Sequence, residues 1–137
     1  MELTRRYSFP AAHVLSRPSW SAEKNEATYG KCANPNGHGH NYDVEVTVTG
    51  PLDERTGRIV PIELLDRIFD ERIRARFSRQ LLNDDEVFRD RVPTAENIAL
   101  VIHDSLATEL ANRSSAEVVR VKIIETRHNS CTSGALA

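Results

Sequence analysis

Nine residues, Asn41 to Thr49, alternate without a break, with Tyr42, Val44, Val46 and Val48 on one parity and Asp43, Glu45, Thr47 and Thr49 on the other. A strict period of two is the pattern of a half-buried strand, so the chain has to build a sheet with one face in a core. His38 and His40, one glycine apart, run straight into that strand. Side chains at i and i+2 leave the same face of a strand. The two imidazoles therefore point the same way, close enough to share one cation, and Gly39 has no side chain to crowd the opposite face. Zinc in an open catalytic site takes about three protein ligands. His13, in F-P-A-A-H at the end of the first apolar segment, is the best candidate for the third, and the thiol of Cys32 lies nearby in sequence. The plain alternative is a loop carrying two solvated histidines, since a bare His-x-His pair has little specificity.

Around this strand the chain reads as follows. Residues 2 to 9 alternate weakly and form a first strand. Residues 14 to 37, rich in Ser, Pro, Asn, Ala and Gly, form a long loop of the kind that carries a site. P-L-D-E-R-T-G at 51 to 57 is turn chemistry, and Arg58, Ile59 and Val60 return as a strand in a hairpin with 41 to 49. Pro61 opens a helix whose apolar stripe is Ile62, Leu65, Phe69, Ile73 and Phe77. Residues 78 to 93 are irregular. Thr94 caps a second helix with the stripe Ile98, Ile102, Leu106 and Leu110. Residues 116 to 126 form the last strand, followed by a tail loop. This order, three strands, two helices and a strand, is an α+β arrangement. One layer of two helices leaves sheet edges and the opposite face uncovered, and proteins rarely leave such edges free. Oligomerisation that pairs them would put a site near a subunit boundary.

With 137 residues the chain is expected to form one domain, long enough to bury a core without staples. A net charge of −2 excludes the excess of Lys and Arg that marks a nucleic-acid partner. E-R-I-R-A-R at 71 to 76 is interleaved with apolar residues at helical spacing and reads as a solvated helix face. Cys32 and Cys131 are too few for a disulfide framework. No stretch reaches the length of a transmembrane span, and the start M-E-L-T-R-R has no signal-peptide core. A cytoplasmic protein with no membrane partner is expected.

Six segments together resemble the 6-pyruvoyl-tetrahydropterin synthase family and its 6-carboxy-tetrahydropterin synthase relatives. They are F-P-A-A-H at 9 to 13, C-A-N-P-N-G-H-G-H-N-Y at 32 to 42, D-E-R-T-G-R-I-V at 53 to 60, L-L-N-D at 81 to 84, P-T-A-E-N at 93 to 97 and I-E-T at 124 to 126. The Cys-to-His spacing is similar to that of the pyruvoyl synthases. The resemblance implies a tunnelling fold, a four-stranded antiparallel sheet with two helices on one face, with sheets closing into a barrel in a homo-oligomer, a trimer or a hexamer. It implies Zn2+ on His13, His38 and His40, Cys32 as the catalytic thiol base, and Glu125 as the carboxylate holding the pterin-like substrate, with Thr94 and Glu96 lining the same pocket. In that reading zinc lowers the pKa of side-chain hydroxyls and stabilises an enediolate, while the thiolate takes the neighbouring carbon's proton. Glu125 accepts two N–H bonds from the ring. Glu96 reads equally as a helix N-terminal charge, Cys32 alternatively as an inert loop thiol, and Cys131 as inert.

The chain departs from the family at its Asp-His proton relay, where Ser78 and Arg79 stand, and at an aspartate replaced by Pro61. Arginine is always protonated and is no base. Losing an acid–base group costs about 10²–10⁴-fold in rate. His128 is a candidate substitute against the plain reading of a solvated tail histidine, whereas His103 falls on the expected exposed helix face. Arg79 could instead hold a substrate phosphate or carboxylate. Three functions follow. The first is a zinc-dependent lyase acting on 7,8-dihydroneopterin triphosphate, by triphosphate elimination or side-chain cleavage. The others are a repurposed zinc-dependent paralogue with another small substrate, and a non-catalytic pterin-binding oligomer.

Overall fold

A computed structural model describes residues 1–134. One sheet of four strands runs β1 (Glu2–His13), β2 (His38–Thr49), β3 (Glu117–Thr126) and β4 (Asn129–Gly134), in that order across the sheet and antiparallel at every step. Helices α1 (Ala22–Tyr29), α2 (Ile62–Phe69), α3 (Ala75–Phe77) and α4 (Ala95–Arg113) complete it. No described helix is long and apolar enough to cross a membrane.

The register of β1 on β2 explains the layering. Phe9 faces Tyr42, Tyr7 faces Val44 and Arg5 faces Val46, and opposed residues of an antiparallel pair share a face. Tyr7, Phe9, Tyr42, Val44, Val46 and Val48 are buried with Val121 and Ile123 of β3. That face is covered by α2 and α4, through Leu65, Phe69, Ile98, Ile102, Leu106 and Leu110. Between α2 and α3 a π-helical segment, Asp70–Arg74, keeps the helical run continuous. Its presence has a geometric reason. Residues spaced four apart drift by about 40° per step on an ordinary α-helix, so Leu65, Phe69, Ile73 and Phe77 would wind away from the sheet. The wider turn takes up that drift, and all four are buried.

Three elements differ from the sequence expectation. Residues 58–60 form no strand, and only an isolated Asp53–Arg58 bridge is present. Both edges of β2 are already taken by β1 and β3, and the 53–58 turn closes on itself through Gly57 N–H to the Asp53 carbonyl at 2.7 Å. The expected fourth strand is instead the polar tail, which folds back on β3 as β4. Finally, α1 interrupts the long connection. It has no apolar stripe and buries only Asn25, and its start is fixed by Ser21, whose side chain accepts from Lys24 N–H.

Candidate active site

His13 ends β1 and lies directly opposite His38 at the start of β2, with Ala11 opposite His40. All three imidazoles therefore leave the helix-covered face, at the end of the sheet where the core stops. Their ligating atoms lie within 4.8 Å of one another, and His13 Nε2 is 3.0 Å from His38 Nε2. Two nitrogens bound tetrahedrally at zinc distances stand about 3.3 Å apart, so the cluster fits one ion of that size.

The surroundings set the state of each ring. His13 is fully buried and its Nδ1 lies 2.8 Å from the Pro93 carbonyl. A carbonyl only accepts, so Nδ1 carries the proton and Nε2 presents its lone pair to the other two rings, the orienting arrangement usual around metal-bound histidine. The Tyr42 hydroxyl stands 3.2 Å from the same Nδ1. Asn83 grips the following residue, accepting from Val14 N–H and donating to the Val14 carbonyl, both at 2.8 Å. Burial pushes the His13 pKa down to about 4. Burial also lowers that of His40, against the opposing pull of Glu125. Both rings are thus neutral donors at physiological pH. His40 Nε2 is buried with no hydrogen-bond partner, 3.5 Å from Glu125 Oε1. An orphaned buried nitrogen beside two others aimed at the same point is what a metal site leaves when only its protein part is drawn.

Cys32 sits in a short 3₁₀ turn, Gly30–Ala33, whose backbone is tied to the segment leaving β1 by Leu15 N–H to the Cys32 carbonyl at 2.7 Å. Burial and then the Glu125 carboxylate push the Cys32 thiol up. The Tyr42 hydroxyl is pushed up by burial, then by Glu125 and Cys32. Cys32, Glu125, Tyr42 and the histidines therefore share one electrostatic environment. Tyr42 and the Pro93 carbonyl were not singled out from sequence. Tyr42 has the parity of the two histidines, which is a usable signal, while a backbone carbonyl leaves none.

The remaining candidates are placed elsewhere within this chain. Thr94 uses its hydroxyl as the cap of α4, accepting from Asn97 N–H at 3.2 Å. Glu96 is exposed, and its charge acts on Cys131 of β4. Ser78 ends α3, and Arg79 is exposed with a left-handed backbone, φ 62°. Arg79 N–H donates to the Pro10 carbonyl at 2.7 Å at the outer edge of β1, and the residue borders a concavity with Ala12, His40 and Asn41. His128 lies exposed in the β3–β4 turn, accepting from Arg127 Nε at 3.2 Å. His103 is not on an exposed face as expected. It is half-buried, 3.1 Å from Ser133 Oγ, because β4 covers that side of α4.

Residues 2–135 match the sequence profile of the family described as 6-pyruvoyl tetrahydropterin synthase. The chain belongs to that family. It is 41% identical over 128 residues to a 6-pyruvoyl tetrahydrobiopterin synthase of Drosophila melanogaster, covering 93% of this chain and 75% of the relative. Against the Homo sapiens protein of that name it is 40% identical over 129 residues, covering 93% and 87%. The solved Caenorhabditis elegans 6-pyruvoyl tetrahydropterin synthase superposes with a TM-score of 0.90 at 32% identity, over 99% of this chain and 96% of that one. The fold is the tunnelling fold of that family, and the three histidines form a site able to hold a metal.

Proposed function

We propose that the chain is a zinc-dependent lyase of the 6-pyruvoyl tetrahydropterin synthase type, acting on 7,8-dihydroneopterin triphosphate with release of triphosphate. The observation that carries this reading is the convergence of three imidazoles on one point with Glu125 and Cys32 beside it. His13, His38 and His40 would hold the ion, which supplies Lewis acidity toward the hydroxyls of the substrate side chain. Glu125, half-buried at the bulge that ends β3, accepts ring N–H groups of the pterin and sets its depth. Cys32 takes the proton from the side-chain carbon beside the polarised oxygen. Its thiol is raised by its own surroundings, so a cation held by the three histidines would favour its base form. Tyr42 and the Pro93 carbonyl hold the ring and tautomer of His13.

Thr94 and Glu96 line the pocket from the start of α4, and Arg79, at the outer edge of β1, lines the site together with a neighbouring copy. This places the site at a boundary between subunits of a trimer, or of a hexamer made from two, whose sheets join into a barrel. The decisive experiment incubates purified, zinc-loaded protein with 7,8-dihydroneopterin triphosphate and follows triphosphate release. Release well above that of Cys32→Ala is expected, and equal rates would end this reading.

A second reading is favoured by Ser78 and Arg79, which replace a proton-relaying pair by groups unable to relay. A left-handed backbone at a non-glycine residue stores strain of the kind found at functional positions. In this reading the same metal and carboxylate serve another small substrate carrying an anion for Arg79. Restoring Asp and His at 78 and 79 discriminates. No gain in pterin turnover supports repurposing, and a large gain supports the ordinary reaction slowed by a missing relay.

A further inference from the structure

Between β1 and β2, residues 14–37 fold around a cleft of about 950 Å³ whose walls include Val14, Arg17, Trp20, Glu26, Lys31 and Ala33. Val14 follows the candidate ligand His13, and Lys31 and Ala33 flank Cys32. The cleft and the site are thus built on the same two pieces of backbone. The position of Arg17 is fixed in an unusual way. Asn25, the one buried residue of α1, accepts from Arg17 N–H at 2.8 Å and donates to the Arg17 carbonyl at 3.1 Å. A buried amide spent on both backbone groups of an exposed arginine costs a polar burial and returns a fixed starting point for that side chain. Trp20 adds a platform, with Lys24 Nζ 4.2 Å and the Arg17 guanidinium 5.7 Å from its ring centroid. Arg17, Lys24 and Lys31 make no ion pair among the described residues. The one carboxylate on the walls is Glu26.

We propose that this cleft cradles the polyphosphate of the substrate, with Arg17 and Lys31 as its cations and Lys24 at the rim. The proposal rests on the lyase reading, which requires a highly charged group close to Cys32. Separated cations around one cleft suit an extended polyanion, whereas a single carboxylate would be met by one bidentate arginine. Glu26 opposes the anion and tempers its affinity, which suits a group that has to leave after each turnover.

Inorganic triphosphate, titrated calorimetrically into the purified chain, tests this without turnover. Removing a charged partner weakens such binding by about 10- to 100-fold, so Arg17→Gln and Lys31→Gln should each raise Kd in that range. Glu26→Gln should lower Kd, a gain that a purely structural role would not produce. Binding should persist in His38→Ala, which separates the cleft from anion capture by a bound metal. Unchanged Kd in both cation variants, or binding lost in His38→Ala, overturns the proposal. The lyase reading fails separately. Turnover with KM unchanged in the Arg17→Gln/Lys31→Gln double variant removes the cleft and leaves the lyase. Triphosphate binding that follows Arg17, Lys31 and Glu26 in a chain without turnover does the reverse.

Discussion

His13 shows how much of a site can be written into one residue and how much has to be supplied from outside it. Its place at the end of the first apolar segment made it a plausible partner for His38 and His40, and strand pairing sets it opposite His38. What fixes its tautomer is the carbonyl of Pro93, 80 positions away in the sequence. No residue pattern announces a backbone acceptor, so that half of the arrangement was illegible. Thr94 is the opposite case: a pocket candidate by resemblance, it engages its hydroxyl as a helix cap, the role that its position before A-E-N predicts. Two expectations belong to this scale. Cys32→Ala should cut turnover by at least about 10²-fold while zinc content stays at the wild-type level, read by steady-state kinetics and elemental analysis on the same sample. Glu125→Gln should raise the Kd of a pterin lacking phosphates by about 10- to 100-fold, because a charged acceptor becomes a neutral one. Fluorescence titration reads that value, and no change would place Glu125 outside the ring-binding role.

Legibility among the elements followed periodicity. The strand at 41–49 and the helices after Pro61 and Thr94 carry strong apolar periods, and each is present. α1 and β4 have none, since A-E-K-N-E-A-T-Y and N-S-C-T-S-G hold few apolar residues. One depends on a cap and the other on the open edge of β3, neither of which is a composition. The return strand at 58–60 failed for the converse reason, because local turn chemistry was right but β2 had no free edge to offer. α2 is tied to the sheet by a polar cluster as well as by its stripe. Arg5 donates to both oxygens of Asp66, each at 3.0 Å, and the Tyr7 hydroxyl donates to Oδ1 at 2.8 Å. The Arg5 guanidinium, helped by the Tyr7 hydroxyl, holds the Asp66 carboxyl below its ordinary range. A carboxyl lowered in the folded state stabilises above its unfolded pKa of about 3.9, and that gain is lost as pH falls through the folded value. Asp66→Asn should therefore lower the unfolding midpoint at pH 7, and the gap from wild type should shrink below about pH 4. A gap that does not depend on pH would contradict the charge account. In the stripe itself Phe77 packs between Phe9 and Phe88, with ring centroids 6.5 and 6.0 Å away. Phe77→Ala should cost about 3–5 kcal/mol in denaturant unfolding, and a cost under 1 kcal/mol would show that the π turn does not serve to keep that ring in the core.

At the scale of the molecule, one sheet face is covered by helices and the other is polar, with Arg6 paired to Glu45, Thr4 to Thr47 and Arg120 to Glu2. Among the described residues the outer edge of β1 is met at Ser8 by the Arg74 guanidinium and near Pro10 to Ala12 by backbone bonds to Arg79 and Gln80, and its first half is left open. Sheet edges left this open are normally met by another strand, and the proposed trimer or hexamer would pair them. Sedimentation equilibrium at micromolar concentration should give a mass that is a multiple of three chains, and a monomer there would remove the argument for a shared site. The proposed chemistry depends on the imidazoles of His13, His38 and His40 acting together on one divalent ion. Elemental analysis of protein purified without added chelator tests that most directly. The account predicts close to one zinc per chain in the wild type and almost none in folded His38→Ala, whereas equal metal content in the two proteins would contradict it.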